Sequence, residues 1–354
     1  EPYAEASGVG WDSDSTGVPC SPDQLDGIHA DVGEVDPVGQ LSCDTENQEV
    51  AGVGVDSQDH VYVFNRGEHP VIVFDKEGQF LTAWGEGVFT NPHGIFIDCN
   101  DDIWCADNFD HTVRKFTTSG ELLMTLGDTE NPSETGFKIN ESPVCCGAGP
   151  FNMVTNVAMG PDGDLFIADG YGNARVHRFG PDGTLKRSWG EPGSGPGEFN
   201  LPHSIVVDRM GRVFVADREN SRVQIFSSEG EFLDQWTWTN RPCDLFLDQQ
   251  ENLYIAELGW SVPMRKLPHF DIMESPPIGH DPIARVTVCD LDGNVQSRIG
   301  GPQPILPGNF IQPHGIWADS RGDLYVGEVV KSGKAIEYFA PLTCHSFQKF
   351  VRSG

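Results

Sequence analysis

Three stretches of this chain are copies of one another, and that repeat limits the fold more than any other feature. One runs from Asn91 as NPHGIFIDCNDDIWCADNFDHTVRKFTTSGELLMTLG. Another runs from Met153 as MVTNVAMGPDGDLFIADGYGNARVHRFGPDGTLKRSWG. The third runs from Leu201 as LPHSIVVDRMGRVFVADRENSRVQIFSSEGEFLDQW. Each has a short apolar strand, a polar turn, a strand ending in Ala-Asp, a strand with Arg-Val and then Phe, and a Gly turn into a last strand. Alternating apolar residues between turn residues mark half-buried strands. Four strands in about 40 residues is the size of one propeller blade. Weaker copies start at Gly52, Arg241 and Gln312. The expected fold is therefore all-β, a six-bladed β-propeller of four-stranded blades, closed so that few sheet edges stay open. The expected blades are 49–89, 90–150, 151–197, 198–238, 239–306 and 307–354, preceded by an N-terminal arm, 1–48. Two long loops, 128–150 and 259–283, fall outside the repeat, as loops that carry function often do.

Charge narrows the partners. The formal net charge is −30, with the acids spread along the chain. Nucleic acid and anionic membranes are polyanions and are poor partners for such a surface. No apolar run is long enough to span a bilayer. The expectation is a monomer acting on a small molecule. Nine cysteines include no C-x-x-C pair, which argues against a cysteine zinc module. Cys20 and Cys43 could pair within the arm. That pairing and a start at Glu1 favour an exported protein slightly over a cytoplasmic one. Arg114, Arg175 and Arg222 recur at one repeat position, with Asp107, Asp169 and Asp217 at another. They read as structural ion pairs.

The chemical signal is a triplet of Pro-His dipeptides at His93, His203 and His314, spaced 110 and 111 residues apart. Each opens the first strand of a blade, the innermost strand of a propeller. They belong to blades two, four and six, and alternate blades stand about 120° apart around the axis. Three imidazoles should meet there. Three neutral histidines with an open position make a catalytic zinc pattern. The equivalent positions in the other blades are Ala51, Thr155 and Cys243. Of these, only Cys243 offers a side chain that could reach the same channel. His60, His111 and His177 fall in turns or outer strands and read as ordinary.

Six segments carry a resemblance: FNRGEHP (64–70), NPHGI (91–95), DGYGNARV (169–176), LPHSI (201–205), ADRENSRVQIF (216–226) and QPHGI (312–316). In this order the chain resembles the NHL-type propellers, and within them the peptidyl-α-hydroxyglycine α-amidating lyases. That family cleaves a carbinolamide into an amide and glyoxylate. The resemblance implies His93, His203 and His314 as zinc ligands, and Tyr171, Arg66 and Arg218 as the catalytic trio. Residue chemistry agrees. A tyrosinate beside positive charge can take the proton of a substrate hydroxyl. Arginine holds a carboxylate or oxyanion with two parallel hydrogen bonds. All three residues follow the second strand of their blades, so topology alone puts them on the face where the histidines start. Read without the family, Arg218 beside Glu219 is equally a surface ion pair.

The chain departs from the family in places. Gln312 replaces a methionine beside the third Pro-His, so Gln312 and Cys243 suggest a more polar substrate pocket. The family's structural calcium would use the carbonyls of Val53 and Ile95, but Gly315 stands where the family has the aspartate. The two family disulfides fall on Asn152 with Gly172 and on Phe214 with Ile225. The leading expectation is a zinc-dependent lyase of a small α-hydroxy-amide or related carbinol. A zinc hydrolase of a lactone or ester would use the same three histidines. A non-catalytic propeller that binds a protein partner would not need them.

Overall fold

The structure, a computed structural model, describes residues 49–260, 279–340, 342 and 344–352, together with the backbone of 12–13 and 28–31. It is a ring of six four-stranded antiparallel blades, the sixth extended by a short fifth strand. The innermost strands are Val50–Val55, Pro92–Ile97, Val154–Met159, Pro202–Val207, Pro242–Leu247 and Pro313–Ala318. The second strands are Val61–Asn65, Ile103–Asp107, Leu165–Asp169, Val213–Asp217, Leu253–Glu257 and Leu324–Glu328, and every residue in them is buried. Outer strands such as Phe80–Trp84, Leu185–Trp189 and Phe232–Trp236 are exposed over their first three residues and buried at the closing Trp. A blade packs both of its faces on neighbours, so its middle strands lie in the core and its rim faces water.

The core is divided among the junctions. Six apolar clusters each join two adjacent blades, and the last joins blade six to blade one through Tyr325, Trp317 and Phe347 against Val53, Val63 and Phe74. Blade six is assembled differently from the expectation that 307–354 supplies all of it. Its third strand, Phe347–Arg352, pairs antiparallel with Ile28–Asp31, which occupies the fourth place. The ring thus closes with strands from opposite ends of the chain. Most of the arm lies outside the described residues, as do the Cys20–Cys43 pairing and residues 261–278 of the loop 259–283. No helix among the described residues is long and apolar enough to cross a membrane.

The Ala-Asp signature has a specific task. Its carboxylate accepts backbone N–H groups from the residues leading into the first strand of the same blade. Asp107 takes Thr90 and Asn91, Asp169 takes Asn152, Asp217 takes Asn200, Glu257 takes Asn240, and Glu328 takes Ile311 and Gln312. Ionised acceptors make stronger bonds than neutral ones. The same anchor therefore sets where the inner strands of blades two to six begin, including the three that begin with Pro-His; in blade one Asn65 stands in its place. The expected arginine pairing holds only at Arg222, whose Nε lies 2.7 Å from Asp217. Arg114 pairs with Asp110 and Arg175 with Glu191, 2.8 Å away. In those blades the signature carboxylate is occupied otherwise; Asp169 faces Asn173 and His177. Removing one partner of a buried pair leaves an uncompensated charge. Asp217→Ala should therefore lower unfolding free energy by about 3–5 kcal/mol in a denaturant titration.

Candidate metal centre and catalytic face

Register puts the start of every inner strand opposite the end of its second strand: Pro92 faces Asp107, Pro202 faces Asp217 and Pro313 faces Glu328. The Pro-His dipeptides and the residues after the second strands therefore share one face of the ring. The imidazoles of His93, His203 and His314 converge on the axis there. Their ring centroids are 4.7, 4.7 and 4.8 Å apart, and one ligand nitrogen from each lies within 4.8 Å of the others. Among the described residues this is the one such cluster.

The intervening blades orient these rings. Nδ1 of His93 lies 2.7 Å from the carbonyl oxygen of Thr155, Nδ1 of His203 lies 2.6 Å from that of Cys243, and Nδ1 of His314 lies 2.7 Å from that of Ala51. A carbonyl only accepts, so each Nδ1 carries the proton and each Nε2 keeps its lone pair. Thr155, Cys243 and Ala51 occupy the histidine position in blades three, five and one. They act through the backbone, so no side-chain signal in the sequence marks them. Burial keeps the rings neutral. Desolvation pushes His93 and His203 well below the usual imidazole range and His314 down to about 3, and neighbouring positive charge adds to this at all three. Neutral, oriented, convergent imidazoles suit a divalent metal.

The phenolic oxygen of Tyr171 reaches this centre. It lies 3.1 Å from Nε2 of His203 and 3.4 Å from Nε2 of His93. Nη1 of Arg218 donates to it at 3.1 Å, and the guanidinium lies over the phenol ring. The surface-pair reading of Arg218 is overturned: its side chain is 8% exposed and that of Glu219 is 0%. Glu219 bridges two guanidiniums, accepting from Arg218 Nε at 2.7 Å and from Arg241 Nη2 at 2.8 Å. These two cations hold the Glu219 carboxyl at about 2, although burial opposes the shift. Arg241 sits before the inner strand of blade five and has no counterpart in the repeat that would have singled it out. Arg66 stands on the same face, donating through Nε to the Pro92 carbonyl at 3.1 Å and through Nη1 to Glu49 at 2.8 Å and Ser332 at 3.1 Å.

Two expected pocket residues are enclosed. Cys243 is fully buried, with Sγ 3.6–3.8 Å from the nitrogens of His203, and burial pushes its thiol up to about 11. Gln312 is buried, and its Oε1 lacks a hydrogen-bond partner among the described residues. At the expected calcium position the family's aspartate is replaced by Gly315. A Cβ at Gly315 would stand 2.6 Å from the Cα of Gly52, so no carboxylate fits there beside Val53. Asp244, on the inner strand of blade five, already accepts from Ser204, Asn156, Leu245 and Ile316. Asn152 and Gly172 are in contact, and Phe214 faces Ile225 across blade four, so the two family bridge positions are neighbours without cysteine.

Fold and site together define a six-bladed propeller with a three-histidine, metal-competent centre at one mouth of its axis. The NHL repeat family model matches residues 199–226. Human NHL repeat-containing protein 3 is 30% identical, over 83% of this chain and 80% of its own length. The chain belongs to the NHL repeat family. It is also 30% identical to a Caenorhabditis elegans protein named probable peptidyl-α-hydroxyglycine α-amidating lyase, over 55% of this chain and 61% of that one. Among solved structures, a streptogramin B lyase superposes with a TM-score of 0.54 at 13% identity, covering 92% of this chain and 98% of that one. That likeness concerns the fold.

Proposed function

We propose that this protein is a zinc-dependent lyase that cleaves a small α-hydroxy-amide into an amide and an α-oxo acid. The carrying observation is the Tyr171 hydroxyl, 3.1 Å from Nε2 of His203 with Arg218 donating to it. A phenol in that position has a base's reach to a hydroxyl brought to the metal centre, and a cation that stabilises its anion. Similarity to a protein named as an amidating lyase supports the same reading.

His93, His203 and His314 would hold the ion, which when bound supplies Lewis acidity toward a substrate oxygen. Tyr171, acting as its phenolate, takes the proton from the carbinol hydroxyl and becomes the neutral phenol. The C–N bond breaks as the hydroxyl oxygen becomes the carbonyl of the oxo acid. The nitrogen keeps the bonding pair and receives a proton, which Tyr171 can return. Arg218 steadies the phenolate, and Glu219 and Arg241 fix Arg218. Arg66 is the candidate for the substrate carboxylate, since a guanidinium pairs with it bidentately.

Metal-loaded protein incubated with α-hydroxyhippurate should release glyoxylate and benzamide in equal amounts. Absence of glyoxylate at full metal occupancy would reject the lyase reading. Zinc should also stabilise the fold: at a thousand times its Kd, linkage adds about 4 kcal/mol, read as a rise in Tm that a chelator reverses.

A further inference from the structure

We propose that a cavity between blades three and four, opening on Tyr171, receives the half of the substrate that does not react, and that it selects an uncharged, partly apolar group there. Its volume is about 340 Å³, and Tyr171, Val144, Ala174, Phe199, Leu201 and Asn220 are among its walls. The identity of the occupant rests on the lyase reading, in which the leaving amide carries this half away.

The cavity and the phenol are built as one piece. The loop after blade two bends back over blade three and is tied to the turn that presents Tyr171. Thr135 Oγ1 donates to the Gly172 carbonyl at 2.6 Å, and Gly172 N donates to Asn152 O at 3.0 Å. Cys145 N then donates to Thr135 O at 2.8 Å, which brings the adjacent Val144 onto the Ala174 and Phe199 side of the blade three–four core. A group seated here is therefore held at a fixed offset from the Tyr171 oxygen, and such fixed placement is what converts binding into rate.

Composition argues for the class of occupant. The chain carries a net charge of −30, yet no charged side chain is among the described residues lining this cavity. An ionised group entering it would give up hydration without a counter-charge. Its walls mix apolar residues and glycines with the neutral polar residues Asn173, Asn200, Asn220, Ser194 and Tyr171. Asn173 already spends its amide on Asp169 and on the backbone of Ala148 and Ala174. A site of this size, with mixed apolar and neutral polar walls and no charged side chain, suits one uncharged acyl group with an aromatic or branched aliphatic body.

Benzamide tests this directly, because it is the neutral half of hydroxyhippurate and needs no turnover to bind. Titrated into zinc-loaded protein by calorimetry, it should bind, while 4-carbamoylbenzoate, the same ring amide bearing a carboxylate, should bind at least about tenfold more weakly. Val144→Trp should weaken benzamide about tenfold by filling the mouth. Val144→Glu should reverse the preference, so that the isosteric cation benzamidine binds better than benzamide; this gain serves if V144W does not fold. Benzamide that fails to bind, that binds V144W as it binds the native protein, or that is matched by 4-carbamoylbenzoate would overturn the proposal. Glyoxylate release is read separately: benzamide binding without turnover would reject the lyase and leave the pocket standing.

Discussion

His203→Ala will bind zinc at least on the order of a hundredfold more weakly than the native protein and will release no measurable glyoxylate. Loss of a group that merely orients a ligand already weakens metal binding by about 10–100-fold. Here a ligand itself is lost, and two imidazoles cannot close a tetrahedral site. The fold should survive. The strand Pro202–Val207 keeps its backbone pairing with Val213–Asp217, and its start is still anchored by Asp217. The informative control is His177→Ala. His177 is also fully buried, but it sits in the third strand of blade three, against Asp169 and Ser188, away from the axis. Its loss should lower stability and leave bound zinc at one ion per chain. Elemental analysis after gel filtration reads both. Equal zinc in native and H203A protein would remove the centre from the argument.

The contrast between His203 and His177 shows what the sequence made legible. A repeat converts spacing into direction: a residue at the start of every second inner strand must point at the axis, whatever its neighbours are. That rule located the three histidines, and the antiparallel first and second strands located Tyr171, Arg66 and Arg218 on the same face. It could not choose partners. Arg114, Arg175 and Arg222 share a repeat position, yet they pair with Asp110, Glu191 and Asp217 respectively. A guanidinium reaches several carboxylates, and the loops between blades, which differ in length, decide which one is near. The carbonyls of Ala51, Thr155 and Cys243 left no trace because any residue supplies a carbonyl. Glu219 looked like a surface acid because its burial depends on Arg241, 22 positions along and in the next blade. Closure of blade six by Ile28–Asp31 pairs segments from opposite ends of the chain, and four residues with no repeat signature do not announce a strand.

Tyr171→Phe is the sharper test of the chemistry, because it removes one oxygen and almost no volume. The ring keeps its contacts with His93 and His203 and its place under the Arg218 guanidinium. Zinc content, Tm and benzamide binding should therefore stay near native values. What disappears is the group that accepts the carbinol proton, and positioned general bases contribute about 10²–10⁴-fold. The expected result is a fall of that size in kcat with KM within about threefold, the pattern of an interaction made mainly in the transition state. Arg218→Met should act on the same step through Tyr171, by withdrawing the cation that stabilises its anion. It also strands Glu219 beside Arg241, so its Tm should fall. The double variant then decides whether the two residues form one device. If they do, Y171F with R218M should be scarcely slower than Y171F alone, since a missing hydroxyl cannot lose its support twice. Multiplicative losses would mean that Arg218 touches the substrate itself. Full activity in Y171F would assign the proton to another group and end the role given to this phenol.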